Sequence, residues 1–226
     1  MLTWLNKLSD WAILRTIKAE EVSVGDGIAL CDLRKRGDSF RPTMEAALRI
    51  IKERDLRRYA RVVRYIHRVV NAVSNCGLHG RYFFEMRMFM IEFRDGVPGF
   101  NADALAAFYA CLLVHESTHG IVAARSIDYS VEDRLRIERL CVAEQNRFAS
   151  KLAAADPARY PVELLHIDFD ERDWNEAWNT NPLKGGLSLV WRALKDKKVE
   201  PAAAPNGGLA RLPGNSEATE GPPLVS

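Results

Sequence analysis

The segment LLVHESTHG contains His115, Glu116 and His119, which form an H-E-x-x-H pattern. On a helix, residues i and i+4 lie on the same face with Cβ atoms about 5–6 Å apart, so two imidazoles can reach one metal ion. Glu116 points about 100° away, where it can hold a water on the metal without being a ligand. The pattern therefore predicts a zinc site with His115 and His119 as ligands and Glu116 as the catalytic base.

The helix that bears this pattern is apolar on nearly all sides before His115. A buried helix should not present two imidazoles and a carboxylate to a core unless their lost hydration is compensated. A metal ion provides that compensation. The alternative interpretation is a pair of core histidines satisfied by hydrogen bonds alone.

A catalytic zinc ion takes three protein ligands and leaves a fourth position for water. The next predicted helix, DRLRIERLCVAEQNRFASKL, offers Glu138 and Glu144. Projected at 100° per residue, its apolar stripe includes Glu144, whereas Glu138 lies on the margin and could pair with Arg134. A carboxylate among core residues needs a partner, so Glu144 is the preferred third ligand and Glu138 the alternative.

The two segments HESTHG and AEQNRFASKL resemble the small gluzincin metallopeptidases, particularly the ImmA/IrrE-like type, whose second helix reads roughly E-A-N-x-F-A. They also resemble a group of uncharacterised bacterial HExxH proteins. The resemblance covers about residues 43–155. It differs from the family pattern at Gln145, where Ala is usual, and at Thr118, where Gly is common.

This resemblance implies a zincin-like α+β fold, mostly helical with a small sheet, and zinc held by His115, His119 and Glu144. It also implies that Glu116 is the general base in hydrolysis of a peptide or protein substrate. Zinc acidifies a water, Glu116 takes its proton, and the same carboxylate can pass the proton to the leaving amine. Such sites recruit a further donor for the oxyanion, and the candidates are His166, Tyr109 and Tyr129.

Residues 1–40 are predicted to form an amphipathic helix and a loop, with the helix packed against the domain or lying at a membrane interface. Residues 41–198 form the zincin-like domain. Within it we expect a long helix from Thr43 to about Ser74, perturbed near Asp55. A strand or tight hairpin at 82–93 follows, and then the helices 102–124 and 130–154. Residues 199–226, rich in Pro, Gly and Ala, are predicted to be disordered.

Composition narrows the class of protein. The net charge of +2 gives no global attraction to nucleic acid or anionic lipid, although the predicted helix between Arg41 and Arg68 is locally basic. The longest apolar run, 104–114, is too short to span a membrane. Four cysteines without a C-x-x-C pair favour a reducing cytoplasm over a disulfide scaffold, and Cys111 and Cys141 are interpreted as core residues.

Two other functions remain open from the sequence. One is a non-catalytic zinc-binding interaction protein that uses the basic helix to contact a partner. The other is a nucleic-acid-associated regulator, whose binding would weaken steeply with salt. Both rank below the peptidase because a zinc ion that only braces a fold does not require Glu at the second motif position.

Overall fold

The computed structural model describes residues 15, 17, 21–35, 39–72, 80–95, 97–127, 130 and 133–169. These residues form a mixed α+β structure of five helices and one five-stranded sheet. The predicted tail 199–226, most of the predicted N-terminal helix, and His79 and Tyr129 lie outside the described residues.

The sheet has the order β1-β2-β3-β5-β4. Its strands are β1 (Glu21–Ser23), β2 (Ala29–Asp32), β3 (Arg68–Asn71), β4 (Gly80–Phe83) and β5 (Met88–Ile91). The three central strands β2, β3 and β5 run parallel, whereas β1 and β4 are antiparallel to their single described neighbours. The predicted hairpin at 82–93 is present as β4 and β5, and β4 lies at one edge of the sheet.

Side chains of the central strands alternate between two buried faces, as the period of a strand requires. One face joins the main core beneath the helices and includes Leu30, Val69, Phe89 and Ile91. The opposite face forms a smaller cluster built from Cys31, Val70, Met88 and Met90, with Ile17 packed against it. Burial of Ile17 places this residue of the predicted N-terminal helix on the far side of the sheet from the main core.

Two consecutive helices, α1 (Phe40–Arg54) and α2 (Leu56–Tyr65), form the first part of the long helical pattern expected from the sequence. The break falls at Asp55, as predicted, because its side chain accepts a hydrogen bond from the Arg58 backbone N–H and caps α2. The Asp55 carboxylate also contacts the Arg58 guanidinium at 2.5 Å and Lys151 Nζ at 2.9 Å. These contacts fix where α2 begins.

The sequence prediction is wrong beyond Tyr65, where the expected helix gives way to β3. Val69 and Val70 fit a helical stripe by spacing, but both are β-branched and point to opposite buried faces of a central strand. The expectation of only a helix and a loop in residues 1–40 is also incomplete. Strands β1 and β2 lie in this region and belong to the same sheet as the rest of the domain.

The helices α3 (Ala102–Ala124) and α4 (Arg134–Ala155) occur close to where the sequence predicts them, and the short α5 (Val162–Leu165) follows. The Asn101 side chain accepts the Ala104 N–H at 2.8 Å and caps α3 as expected. Within the described ranges, α3 is the helix long and apolar enough to cross a membrane, but 89% of its most apolar window is buried inside the molecule. It is the central helix of the core and packs against α1, α2, α4 and β4.

Candidate metal centre

The H-E-x-x-H segment lies within α3, and all five of its side chains are buried. Ser117 and Thr118 satisfy their hydroxyls locally, since both donate to the Val114 carbonyl at 2.9 Å. The imidazoles of His115 and His119 lie one turn apart with their Nε2 atoms 3.3 Å from each other. The helix therefore brings the two predicted ligands together, as the i, i+4 spacing requires.

Glu138 of α4 completes a triangle with the two histidines. Its Oε2 atom lies 3.3 Å from His115 Nε2 and 3.5 Å from His119 Nε2. The Glu138 residue is 2% exposed, so water does not screen this contact. Three potential metal ligands from two helices thus face one point in the protein interior.

The size of this triangle matches a tetrahedral metal site. Four ligands placed about 2.0–2.1 Å from a zinc ion are separated from one another by about 3.3–3.4 Å. The three measured separations, 3.3, 3.3 and 3.5 Å, agree with that edge length. Two imidazole nitrogens and a carboxylate oxygen also suit zinc chemically, and the residues present therefore fit the metal.

Charge at the site favours a cation. Burial opposes ionisation of Glu138, but hydrogen bonding and the charge of His115 and His119 outweigh it and lower the pKa of this carboxyl. An ionised carboxylate in the interior needs hydrogen bonds or positive charge to offset its lost hydration. A divalent ion between the three side chains would add positive charge next to Glu138 Oε2.

Glu144, the preferred third ligand from the sequence and from the gluzincin resemblance, lies elsewhere. Its Oε1 is 2.8 Å from a guanidinium nitrogen of Arg61 and 3.2 Å from one of Arg58, and its Oε2 is 3.3 Å from Arg147. Burial opposes its ionisation, but the hydrogen bond from Arg61 and the charges of Arg58 and Arg61 lower its pKa. The structure thus corrects the expectation for Glu144 and places Glu138, the alternative, beside the histidines.

The helical projection failed here because it counted only apolar residues. Leu140 lies one turn before Glu144 and was counted as part of the apolar stripe, but it is 49% exposed. The buried stripe of α4 instead runs through Glu138, Cys141, Val142 and Gln145 before it reaches the core residues near its C-terminal end. Two of these residues, Glu138 and Gln145, are polar. A search for the spacing i, i+3, i+4 and i+7 that included polar residues could have identified both of them.

Glu116 is fully within the protein and faces the first residue of β4. A Cβ built on Gly80 would lie 3.4 Å from Glu116 Oε1 and 2.3 Å from a ring carbon of Phe89. The Phe89 ring therefore requires glycine at this position, whereas a Cβ would make only an ordinary contact with the carboxylate. Burial raises the pKa of Glu116 to about 7, with the nearby Glu138 charge adding to the effect and His115 opposing it.

Cys141 also lies near the histidines. One nitrogen from each of His115 and His119 and the Cys141 Sγ all lie within 4.8 Å of one another, and this buried group could hold a metal ion. From the sequence, Cys141 was expected to be a core residue and not a potential metal ligand. Burial raises the pKa of its thiol, as do the charges of Glu138 and Glu116, which disfavours the thiolate that would bind a metal.

Gln145 is a second residue whose role the sequence did not reveal. Its Oε1 lies 3.1 Å from His115 Nδ1, and the side chain is completely buried. Because Gln145 follows Glu138 by seven residues, both side chains extend from the same face of α4 towards His115. The imidazole is thus contacted on both ring nitrogens.

The described oxyanion candidates are engaged in other contacts. The Tyr109 hydroxyl accepts the Arg94 N–H at 2.9 Å and donates to the Arg94 carbonyl at 3.1 Å. His166 Nε2 lies 2.9 Å from the Ser150 hydroxyl on the exposed side of α4. Neither contact brings the side chain to Glu138 and the histidines.

Comparisons of the chain with family models, with curated proteins and with solved structures find no match. The geometry of the site and the residue pattern therefore remain as the observations that bear on function.

Proposed function

We propose that this protein is a zinc-dependent metallopeptidase with His115, His119 and Glu138 as its metal ligands. The observation that supports this most strongly is the triangle of 3.3, 3.3 and 3.5 Å among the Nε2, Nε2 and Oε2 atoms. The five-stranded sheet with its antiparallel edge strand above α3 is compatible with the zincin-like fold that the resemblance implies. We propose that fold as the finer description of the observed α+β structure.

Glu116 would be the general base. A zinc ion held at the site would supply Lewis-acid chemistry, acidifying water and polarising a carbonyl group. Glu116 lies about 100° from His115 around the helix and is not one of the three ligands, so its carboxylate is available to accept a proton from the attacking water. It would then pass that proton to the amine nitrogen of the departing product. Its buried position keeps bulk water from competing for the proton.

The substrate would be an extended peptide or protein segment. Strand β4 is at the edge of the sheet, and its first residue, Gly80, lies against Glu116. Among the described strands β4 has a neighbour on one side, so an extended chain that added to its other side by main-chain hydrogen bonds would run close to Glu116. The sheet would thereby align the scissile bond without a dedicated pocket for each side chain.

The basic residues of α1 and α2 are better explained by a structural role than by contact with nucleic acid. Arg58 and Arg61 pair with Glu144, Lys52 pairs with Asp26, and Arg41 pairs with Glu45. Ion pairs within the chain thus engage these four of the basic residues between Arg41 and Arg68. A cytoplasmic location stays a prediction, and it is supported by the three described cysteines, Cys31, Cys111 and Cys141, which form no disulfide with one another.

A non-catalytic zinc protein is the second candidate, and the position of Cys141 is the observation that favours it. If Cys141 joined the other three ligands, the metal would have four protein ligands and no position for water. Cobalt substitution separates the two candidates. The peptidase proposal expects no thiolate-to-cobalt charge-transfer absorption and an unchanged spectrum in Cys141→Ala, whereas strong sulfur absorption that this variant abolishes would favour the closed site.

The peptidase proposal is tested with zinc-loaded wild-type protein and Glu116→Gln on a diverse peptide mixture read by mass spectrometry. We expect wild-type cleavage that a chelator abolishes, and about 10²–10⁴-fold slower cleavage by Glu116→Gln, because proton transfer by a positioned side chain contributes that much. Both proteins should contain equal zinc. Equal cleavage by the two proteins, or no cleavage by zinc-loaded wild type, would contradict the proposal.

A further inference from the structure

His115 presents its two ring nitrogens to two different residues of α4. Nε2 faces Glu138 Oε2 at 3.3 Å and His119 Nε2 at 3.3 Å, whereas Nδ1 faces Gln145 Oε1 at 3.1 Å. All four side chains are buried. Nε2 of His115 thus faces the proposed metal position, and Nδ1 faces a hydrogen-bond partner outside it.

We propose that Gln145 is a positioning residue that fixes the tautomer and orientation of the His115 imidazole for metal binding. A neutral imidazole has one protonated and one unprotonated nitrogen, and the hydrogen bond at one nitrogen decides the state of the other. Gln145 Oε1 accepts a hydrogen bond from the Nδ1–H of His115, so the lone pair of Nε2 points into the ligand triangle. This inference rests on the proposed metal centre.

The amide of Gln145 acts through its oxygen. Its Nε2 atom is buried and has no hydrogen-bond partner among the described residues. An amide turned the other way would donate to His115 Nδ1 and force the ring proton onto Nε2, where it would block the metal. The orientation with Oε1 towards Nδ1 is therefore the one that leaves His115 able to bind a cation, and an acceptor is the property that the site requires.

Acceptors at the outer nitrogen of a metal-binding histidine raise its basicity and hold the ring plane, and removing one typically lowers metal affinity about 10–100-fold. Gln145 occupies this position although the resembling family usually has Ala there. Helix α4 thus supplies both a metal ligand, Glu138, and the support for a second ligand, two turns later on the same face. The device depends on α4 remaining packed against α3.

Three variants separate this role from ordinary packing. Gln145→Leu removes the acceptor with little change in size, and Gln145→Glu keeps an acceptor while removing the unsatisfied amide nitrogen. Asn146→Leu is the matched control, because it removes an adjacent amide that bonds the Ile167 backbone at 2.9 and 3.0 Å and has no contact with the histidines. Zinc affinity is measured by competition with a chromophoric chelator.

We expect Gln145→Leu to bind zinc about 10–100-fold more weakly than wild type. Gln145→Glu should remain within tenfold of wild type, and Asn146→Leu should match wild type even if its melting temperature falls. Equal zinc affinity in wild type and Gln145→Leu would overturn the inference. Weaker binding by Asn146→Leu than by Gln145→Leu would likewise show that the effect is general packing.

The tautomer is measured directly by ¹⁵N NMR on metal-free full-length Glu138→Ala protein, because in wild type without metal the Glu138 carboxylate faces Nε2 and competes for the ring proton. We expect neutral His115 to carry its proton on Nδ1 in Glu138→Ala, and to lose that preference when Gln145→Leu is added. A His115 protonated on Nε2 in Glu138→Ala would overturn the inference. Since this readout needs neither zinc nor hydrolysis, Nδ1–H in Glu138→Ala together with no peptide cleavage by wild type would contradict the peptidase proposal alone.

Discussion

Helix α4 places two carboxylates in two different environments, only six residues apart. In the histidine–glutamate cluster, Glu138 meets His115 and His119 of α3 at 3.3 and 3.5 Å. In the arginine cluster, Glu144 meets Arg61 and Arg58 of α2 at 2.8 and 3.2 Å. Both carboxyl groups have lowered pKa values, but their partners differ in kind.

The difference shows why burial of an acidic residue does not by itself identify a metal ligand. Guanidinium groups are always charged, so the arginine cluster is electrostatically complete without any added ion. Imidazole nitrogens can bind a metal ion and guanidinium groups cannot, so a buried carboxylate oxygen that faces two imidazoles completes a set of three potential metal ligands. We therefore expect changes in the arginine cluster to alter stability and changes in the histidine–glutamate cluster to alter metal binding.

The largest stability effect is expected where α2 reaches α3. A Cβ on Gly120, the residue after His119, would lie 2.5 Å from Tyr65 Cβ at the end of α2. Gly120→Ala should lower the unfolding free energy by about 2–3 kcal/mol, at the upper end for overpacking, because a Cβ atom cannot rotate out of the way. Zinc affinity should change less than tenfold, since α2 supplies no ligand. Urea unfolding and chelator competition measure the two quantities, and unchanged stability would contradict this packing.

A smaller effect is expected inside the arginine cluster. Glu144→Ala should lower the unfolding free energy by roughly 1–2 kcal/mol, below the cost for a fully buried pair because both arginines are partly exposed. Arg61→Ala should do the same, and the double variant should lose less than the sum because the two residues are coupled. The double-mutant cycle is measured by urea unfolding of the metal-free protein. Simple additivity would show that the contact contributes nothing.

The smallest effect is a pH dependence at Asp55, which anchors α2. Burial raises the pKa of this carboxyl, but hydrogen bonds from Lys151 and Arg58 outweigh it and lower the pKa to about 2. Its stabilisation is therefore present above the unfolded value of about 3.9 and is lost as the pH falls from about 4 towards 2. Asp55→Asn should be less stable than wild type by about 1 kcal/mol at pH 7 and by about half as much near pH 3.

The control for Asp55 is Asp103→Asn. Asp103 also lies at the start of a helix and pairs with Arg159 at 2.9 Å, but both side chains are about half exposed. Solvent screens such a pair, so this variant should change stability little at either pH. A stability gap between wild type and Asp55→Asn that persists unchanged at pH 3 would contradict the assignment.

Part of the site could be predicted because its geometry is local. The spacing of His115 and His119 on one helix fixes their relative position regardless of the surrounding fold. The third ligand depends on which face of α4 packs against α3, and the apolar pattern pointed to Glu144. The buried stripe of α4 that packs against α3 contains Glu138 and Gln145, which a pattern built from apolar residues alone could not include.

The helices α1 to α4 and the β4–β5 hairpin were predictable, whereas β1, β2, β3 and the short α5 were not. The missed strands have three or four residues each and contain no aromatic residue, whereas the equally short β4 and β5 contain Tyr82, Phe83 and Phe89. Their stability comes from pairing with distant segments, such as Leu30 beside Val69 and Val69 beside Phe89. Val69 and Val70 also continued the helical spacing of α2, and only the tertiary pairing shows that they form a strand.

The most direct test of the account is the zinc content and zinc affinity of Glu138→Ala beside Glu144→Ala, with wild type and His115→Ala as references. We expect one equivalent of zinc per chain in wild type and in Glu144→Ala. In His115→Ala and Glu138→Ala the zinc affinity should fall by more than about 100-fold, which exceeds the usual effect of losing a residue that only supports a ligand. Equal zinc in all four proteins, or loss in Glu144→Ala with retention in Glu138→Ala, would contradict the proposed metal centre.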